Sequence, residues 1–330
     1  MKEPYLSIVV TSRNDNHDGS LLYRMNMFVK VLCKQLVRYP NFPVELIIIE
    51  WNPSSHLPTL SSILPLNKIS SNLSVRILTV PRQIHNRIAN STKIPLFQFL
   101  AKNVGIRRAR GKFVLCTNID VLFSQALFKF LQICNLHKNE IVRTVRFDVP
   151  ERLPDSSDVS KILYYCDNHV IRAFWPWGTE ELIHSQTNFQ KKLLRMIRLK
   201  LYKGIFTNAC GDFTLMAKKN WHTLRGYPEF PLHGVKIDSL LLHAAFSLGL
   251  TQRILPMNMC VYHIDHPRSW TSAKSKGLLE NYQKLGIPTI ERNKYSKLID
   301  KMQLDKKPIY FNDKTWGFVN KNFHESIIEA

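Results

Sequence analysis

The chain has 330 residues, of which 45% are hydrophobic and 22% are charged, an ordinary globular composition that argues against long disordered stretches. Lys and Arg (46) outnumber Asp and Glu (25), giving a formal net charge of +21 that attracts anions. The candidate partners are nucleic acid, anionic lipid headgroups and phosphorylated substrates, and charge alone does not choose among them. The six cysteines form no C-x-x-C pair and lie mostly in apolar runs, which argues against a disulfide framework or a cysteine zinc site.

The N-terminal segment does not have the pattern of a signal peptide, because its short apolar run leads straight into a polar turn. No segment approaches the ~20 consecutive apolar residues that cross a bilayer. The sequence therefore predicts a cytoplasmic protein.

The first half of the chain alternates apolar strands with helices. Predicted strands cover residues 6–12, 44–50, 75–80, 112–117 and 141–147, and predicted helices cover 21–37, 95–108 and a segment from the N-cap Ser124 to about 136. Continuous apolar strands between helices predict an α/β fold with a mostly parallel central sheet that helices cover on both faces.

Polar side chains lie at the carboxyl ends of three of these strands: residues 13–15, Glu50 and residues 118–120. Ligands of such sheets bind outside the carboxyl ends of the strands. These positions are therefore the first candidates for a binding site.

The segment AKNVGIRRARGKFVLCTNIDVLFS (101–124) carries the most specific pattern. A helix ends at a glycine, a buried strand follows, and the strand ends in Asn118-Ile119-Asp120. This order resembles family-2 glycosyltransferases of the GT-A fold. The matching positions are Lys102, Asn103, Gly105, Ala109 and Gly111, with Asn118 and Asp120 on the D-x-D motif.

The resemblance implies a GT-A (Rossmann-like) fold with a nucleotide-sugar-binding half at 1–150 and a smaller acceptor-binding, catalytic half at 151–270. A helical or irregular extension would occupy 271–330. It also implies a divalent cation, Mn²⁺ or Mg²⁺, that neutralises the leaving diphosphate.

Metal binding is assigned by the resemblance to Asp120, with Asn118 assisting and His263 completing the shell. Asn118 departs from the family, which has an acid there, and this weakens the expected metal site. His266 is the alternative to His263. The other interpretations are that Asp120 caps the turn beside Ser124, and that the histidines are ordinary core or surface residues.

The resemblance also places the donor at the earlier strand ends. Residues expected to bind the donor are Ser12, Arg13, Asp15, Glu50, Lys102, Asn103 and Asn118. A carboxylate can accept hydrogen bonds from ribose hydroxyls or a uracil N–H, and Arg13 can reach a phosphate. Ordinary turn chemistry and a solvated acid are the alternatives.

Gly211-Asp212-Phe213, the turn 225–229 and Asp238 resemble the acceptor half of the same superfamily. Asp238 opens a predicted helix and is the candidate general base of an inverting transfer, with Asp212 as the second candidate. Gly211 is placed in the acceptor site. An N-cap role is the alternative for Asp238.

Two tryptophans in the aromatic loop 174–178, Trp175 and Trp177, are further candidates for the acceptor site. Their faces suit sugar C–H groups and their indole N–H groups suit hydroxyls. Plain core packing is the alternative.

The sequence thus predicts a hexosyltransferase-type enzyme that moves sugar from a nucleotide diphosphate, expected to be a UDP-sugar, to a glycan or lipid-linked acceptor. A catalytically inactive carbohydrate-binding protein of the same fold stays open because of Asn118. A sugar-phosphate nucleotidyltransferase would need a glycine-rich loop after the first strand, where SRNDNHDG stands. Nucleic acid is not expected as a partner, since no helix-turn-helix, zinc finger or RNP-like strand is present.

Residues 190–203 combine six Lys and Arg residues with apolar ones at helical spacing. Such a helix can lie on an anionic membrane, bringing the enzyme to a lipid-linked acceptor. Alternatively, its apolar stripe packs on the sheet while the charges stay in water.

Overall fold

The computed structural model describes residues 3–16, 19–66, 69–133, 135–182, 189–266 and 280–329. They form a mixed α/β fold with a large central sheet and flanking helices, which confirms the predicted fold class. The start of the predicted C-terminal extension, 271–279, lies outside the described residues.

The strands are numbered in chain order. They are β1 (Leu6–Ser12), β2 (Val44–Trp51), β3 (Leu73–Val80), β4 (Phe113–Thr117), β5 (Val121–Phe123), β6 (Glu140–Arg143), β7 (Arg146–Val149), β8 (Arg172–Trp175), β9 (Gly178–Glu181), β10 (Phe213–Ala217), β11 (Thr251–Ile254), β12 (Val261–Ile264) and β13 (His324–Ile328).

The helices are numbered in the same way. They are α1 (Leu21–Val37), α2 (Leu60–Ile63), α3 (Arg82–His85), α4 (Gln98–Arg108), α5 (Gln125–Gln132), α6 (Val159–Asn168), α7 (Phe189–Leu201), α8 (Lys218–Leu224), α9 (Ile237–Ser247) and α10 (Arg292–Asp305), with a 3₁₀ turn at Trp316–Phe318. None of these helices is long and apolar enough to cross a membrane.

The large sheet has the strand order β11-β6-β10-β4-β1-β2-β3-β13. Its central strands β4, β1, β2 and β3 are parallel, whereas β10 and β13 run antiparallel to their neighbours β4 and β3. Both faces of β1 are covered: Ile8 and Val10 pack on the α1 side, and Val9 packs on the α4 and α9 side. This explains the continuous apolar sequence of the strand.

A second sheet has the order β5-β12-β7-β8-β9 and contains the loop predicted at 174–178, which is the end of the β8–β9 hairpin. The single strand predicted at 141–147 is in fact two strands. The chain leaves the large sheet at Thr144 and Val145, so β6 lies in the large sheet and β7 in the small one. Ser124 caps α5 as predicted, accepting a hydrogen bond from the Leu127 N–H at 3.1 Å.

Candidate active site

The carboxyl end of β4 is where the two sheets meet. Antiparallel pairing of β10 with β4 sets Phe213 opposite Thr117, so Asp212 and Asn118 leave their strands side by side. On the other side, β12 lies between β5 and β7, with His263 opposite Val121 and Asp148. The backbone N–H of Ile264 donates to the Asp120 carbonyl at 3.1 Å. Residues far apart in the sequence are thereby brought to one edge.

Asp120, His263 and His266 form a group that is able to hold a metal ion. The Asp120 Oδ2 atom lies 3.7 Å from His263 Nε2 and 3.9 Å from His266 Nε2. Arg24, on α1, brings its Nε to 3.5 Å from the same oxygen. Burial alone would raise the pKa of Asp120, but the surrounding histidines and arginines outweigh it and hold that pKa below its ordinary value.

His263 contacts a second carboxylate through its other ring nitrogen. Its Nδ1 lies 3.2 Å from Asp148 Oδ1 and 2.9 Å from Arg146 Nη2. Arg146 can only donate and Asp148 can only accept, so the first contact suits an unprotonated Nδ1 and the second a protonated one. In the tautomer with the proton on Nδ1, the lone pair of Nε2 is available to a metal ion. A carboxylate behind a metal-binding histidine is a common arrangement that orients the ring.

Arg146 lies at the centre of a buried chain of charges. Its Nη1 is 2.6 Å from Asp212 Oδ2 and its Nε is 2.7 Å from Asp148 Oδ1, while Arg172 pairs with the other oxygen of Asp148. Burial opposes the charge of Arg146, but the two carboxylates raise its pKa above the ordinary value, and the arginine in turn keeps the pKa of Asp148 low. These pairs fix the orientation of Asp212.

Asn118 connects this chain to Lys102. Its Nδ2 donates to Asp212 Oδ1 at 2.5 Å, and its Oδ1 accepts hydrogen bonds of 2.8 Å from both Lys102 Nζ and Gln98 Nε2. An aspartate at this position would place a second carboxylate against Asp212. Asn118, where the resembled family has an acid, is therefore compatible with the neighbouring carboxylate of Asp212.

Lys102 is fully buried on α4, and burial lowers its pKa, although the Asp212, Asp238 and Asp120 carboxylates act electrostatically to raise it. Its Nζ also donates to the Gly211 carbonyl at 2.7 Å. One ammonium group thus lies within electrostatic reach of all three candidate carboxylates.

Asp238 is in the first turn of α9, where its Oδ1 accepts from the Ser239 N–H at 3.0 Å. A Cβ atom on Gly211 would lie only 3.1 Å from Asp238 Oδ2, so glycine allows the carboxylate to approach the backbone closely. Burial raises the pKa of Asp238, partly offset by a hydrogen bond with Cys210 and by the charge of Lys102. A carboxylate with a raised pKa is suited to accepting a proton.

The predicted donor residues at the end of β1 form a small network of their own. Arg13 Nε donates to the Asn52 carbonyl at 2.8 Å, and its Nη1 pairs with Asp15 Oδ2 at 3.1 Å; both side chains are half-buried. Ser12 is buried and contacts the sulfur of Met25. Arg24 joins this region to Asp120, since its Nη1 donates to the Gly19 carbonyl at 2.7 Å.

Two other residues predicted to bind the sugar donor form hydrogen bonds within the protein. Glu50 is 1% exposed and accepts hydrogen bonds from the Leu60 N–H at 2.8 Å and the Thr79 hydroxyl at 3.3 Å, and burial raises its pKa. Asn103 is fully buried, with its amide bonded in both directions to the Tyr227 backbone at 2.8 Å. Donor binding by Glu50 and Asn103 stays a prediction.

The tryptophans of the small sheet are engaged by their neighbours. Trp175 is buried, and its ring stacks on Trp177 with centroids 5.3 Å apart. The guanidinium of Arg198 lies 4.4 Å from the Trp177 ring centroid. Acceptor binding by this pair also stays a prediction.

Sequence reasoning missed Arg24, Arg146 and Asp148. Arg24 occupies the apolar stripe of α1, three residues after Leu21 and four before Phe28, and a charge in such a stripe is a signal that it has a buried partner. Arg146 and Asp148 gave no comparable signal, because their roles depend on the pairing of β7 with β12.

Neither a protein-family model nor a curated protein sequence matches the chain. Among solved structures, the chain is similar to that of GalNAc-T7 with UDP, GalNAc and Mn²⁺, with a TM-score of 0.43 and 13% sequence identity. The match covers 96% of this chain and 54% of that chain, so this chain spans about half the length of that protein.

Proposed function

We propose that the protein is a metal-dependent glycosyltransferase of the hexosyltransferase type. It moves a sugar from a nucleotide diphosphate, of the uridine type, to a hydroxyl group of a glycan or lipid-linked acceptor. The observation that carries the proposal is the convergence of the Asp120–His263–His266 group with Asp238, Asp212 and Lys102 at the carboxyl edge of a largely parallel sheet.

The spacing of the Asp120–His263–His266 group fits one cation. Two ligand atoms bound at about 2.1 Å each lie at most about 4.2 Å apart, and the distances of 3.7 and 3.9 Å fall below that limit. Two imidazoles and one carboxylate favour Mn²⁺ over Mg²⁺, which prefers oxygen ligands. When bound, the cation neutralises the negative charge that develops on the leaving diphosphate.

Asp238 is the proposed general base. It takes the proton of the acceptor hydroxyl as the oxygen bonds to the anomeric carbon, and the bond from that carbon to the diphosphate breaks. Its raised pKa and its closeness to the Gly211 backbone support this role.

The contacts of Asp212 support an inverting reaction. Its Oδ1 accepts from Asn118 and its Oδ2 pairs with Arg146, so both oxygens of this second candidate carboxylate are engaged by the protein. A single base then suffices for direct displacement.

The proposal is tested by thermal unfolding with UDP, GDP or CDP, each with Mn²⁺, with Mg²⁺ or with chelator. UDP with Mn²⁺ should raise the melting temperature most, because a ligand of the native state stabilises it by mass action. Product from a UDP-sugar should have the inverted anomeric configuration. Stabilisation without any sugar transfer or donor hydrolysis would indicate a binding protein, and a lack of stabilisation by every nucleotide would contradict the proposal.

A further inference from the structure

Helix α7 turns most of its apolar side chains away from the protein. Leu193, Leu194, Ile197 and Leu201 are 45%, 65%, 47% and 64% exposed. Three of them follow one another at four-residue spacing, so they form one stripe along the helix. The alternative in which this stripe packs on the sheet is wrong. A surface helix of a globular protein normally has the opposite orientation.

The other face of α7 holds the helix firmly on the β8–β9 hairpin. Leu199 is buried in the small core of that region. Arg195 pairs with Glu180 at 2.5 Å, and the Arg198 guanidinium lies over the Trp177 ring. The outward direction of the apolar stripe is therefore fixed by contacts on the opposite side.

The charged side chains of the helix segment itself are all of one sign. Residues 189–203 contain six basic side chains and no acidic one. Exposed Lys192, Lys200 and Lys203 lie on the same helix turns as the apolar stripe or directly after it. Lysine is depleted in protein–protein interfaces, whereas a basic helix with an apolar stripe is typical of helices that lie in a membrane interface.

We propose that α7 docks the protein on the surface of an anionic lipid bilayer. The apolar stripe enters the boundary between headgroups and acyl chains, and the lysines bind the lipid phosphates. The β8–β9 hairpin beneath α7 is in the same sheet as β7, which carries Arg146 and Asp148. If the proposed function holds, docking brings the candidate active site beside the membrane, where a lipid-linked acceptor would lie.

The first measurement is co-sedimentation with vesicles of phosphatidylcholine alone or mixed with phosphatidylglycerol, at low and physiological salt and without nucleotide or metal. Binding is expected only to the anionic vesicles and should weaken with salt. Because neither donor nor cation is present, this result is independent of the transfer activity.

Matched apolar variants test the stripe. The test variant carries Leu193→Ser, Ile197→Ser and Leu201→Ser; the control carries Val37→Ser, Leu57→Ser and Leu304→Ser, at residues that are also exposed. The test variant should bind at least about tenfold more weakly and the control should bind normally. Equal binding by both variants would overturn the proposal.

Matched charge variants test the lysines. The test variant carries Lys192→Gln, Lys200→Gln and Lys203→Gln; the control carries Lys297→Gln, Lys301→Gln and Lys307→Gln, which removes the same charge from exposed positions on or just after α10. Each lysine at the membrane should contribute roughly fivefold, so the test variant should lose roughly 100-fold. Equal losses would mean that binding follows the overall net charge and would overturn the proposal.

If a protein and not a membrane covered the apolar stripe of α7, the result would be different. If the stripe joined two copies of the chain, the wild-type protein would sediment as a dimer without lipid and the Leu193→Ser, Ile197→Ser, Leu201→Ser variant as a monomer. That outcome would also overturn membrane docking.

Discussion

The large sheet has one buried carboxylate at the amino ends of its central strands and another beyond their carboxyl ends. The two carboxylates differ in the distances to their nitrogen and oxygen neighbours. Glu45, at the start of β2, is 1% exposed and accepts short bonds from the Ser7 hydroxyl (2.5 Å), Arg76 Nη1 (2.7 Å) and the Arg110 N–H (2.9 Å). Asp120, after the carboxyl end of β4, has Arg24, His263 and His266 nitrogens at 3.5 to 3.9 Å.

This difference in distance distinguishes a carboxylate that stabilises the fold from a carboxylate that is a candidate metal ligand. Donors at hydrogen-bond distance satisfy both oxygens of Glu45. The nitrogen atoms around Asp120 lie beyond that distance, and two of them belong to imidazoles, which bind metals. The two ends should therefore respond to substitution in opposite ways: one through activity and the other through stability.

Replacing the Asp120 carboxylate should have the largest effect on activity. Asp120→Ala removes the proposed anionic metal ligand, so turnover should fall by about 10³-fold or more while the protein still folds. Initial rates with a UDP-sugar and Mn²⁺ measure the loss, and circular dichroism checks the fold. Asp300→Ala, at an exposed position of α10, is the control. Full activity of Asp120→Ala in excess chelator would disprove the metal role.

Asp238→Asn should lower the rate by ~10²–10⁴ with little change in donor affinity. Because burial raises the pKa of Asp238, the acid limb of the wild-type pH–rate profile should lie above the ordinary range of an aspartate and should disappear in the variant.

The raised pKa of Asp238 also determines whether folding stability rises or falls with pH. A raised folded pKa contributes stability below the unfolded value, and that contribution is lost as the pH rises through the folded value. Relative to wild type, Asp238→Asn should therefore gain stability as the pH increases from acidic to neutral. Urea unfolding at several pH values measures this change. An unchanged difference across pH would contradict the raised pKa.

Glu45→Ala should act on stability. It leaves the buried guanidinium of Arg76 with Glu325 as its remaining described carboxylate partner, so the cost should stay below the about 3–5 kcal/mol of an uncompensated buried charge. Turnover per folded molecule should stay near wild type. Glu325→Ala, which removes the more exposed partner, should cost less. A stable but inactive Glu45→Ala protein would contradict the claim that Glu45 acts on stability and Asp120 on activity.

The smallest expected effect is that of Asn118→Asp, which restores the acid of the D-x-D pattern. The new carboxylate would meet Asp212 where the amide now donates at 2.5 Å, so we expect about a tenfold lower rate at neutral pH. Partial recovery at lower pH should follow, since one of the two acids can then hold a proton. A faster enzyme would mean that residue 118 acts as a metal ligand and not as the donor that orients Asp212.

The sequence was most informative where local pattern decides the structure. The bounds of β1 and α1, the cap at Ser124 and the helix that carries Asp238 follow from apolar periodicity and capping. The contact of Asp148 with His263 could not be predicted from the sequence, because it joins strands more than 100 residues apart. The pattern of α7 likewise predicts a helix with two faces but not which face meets the protein.

Strand β13 has a consequence for how the chain folds. It closes the edge of β3, and Arg76 on β3 meets Glu325 across 249 residues of sequence. During synthesis, β3 therefore emerges long before the strand that covers its edge. Contacts of such long range form late and slowly, and an unpaired edge can recruit other strands in the meantime. Concentration-dependent aggregation early in refolding, which disappears once β13 has docked, is the expected kinetic signature.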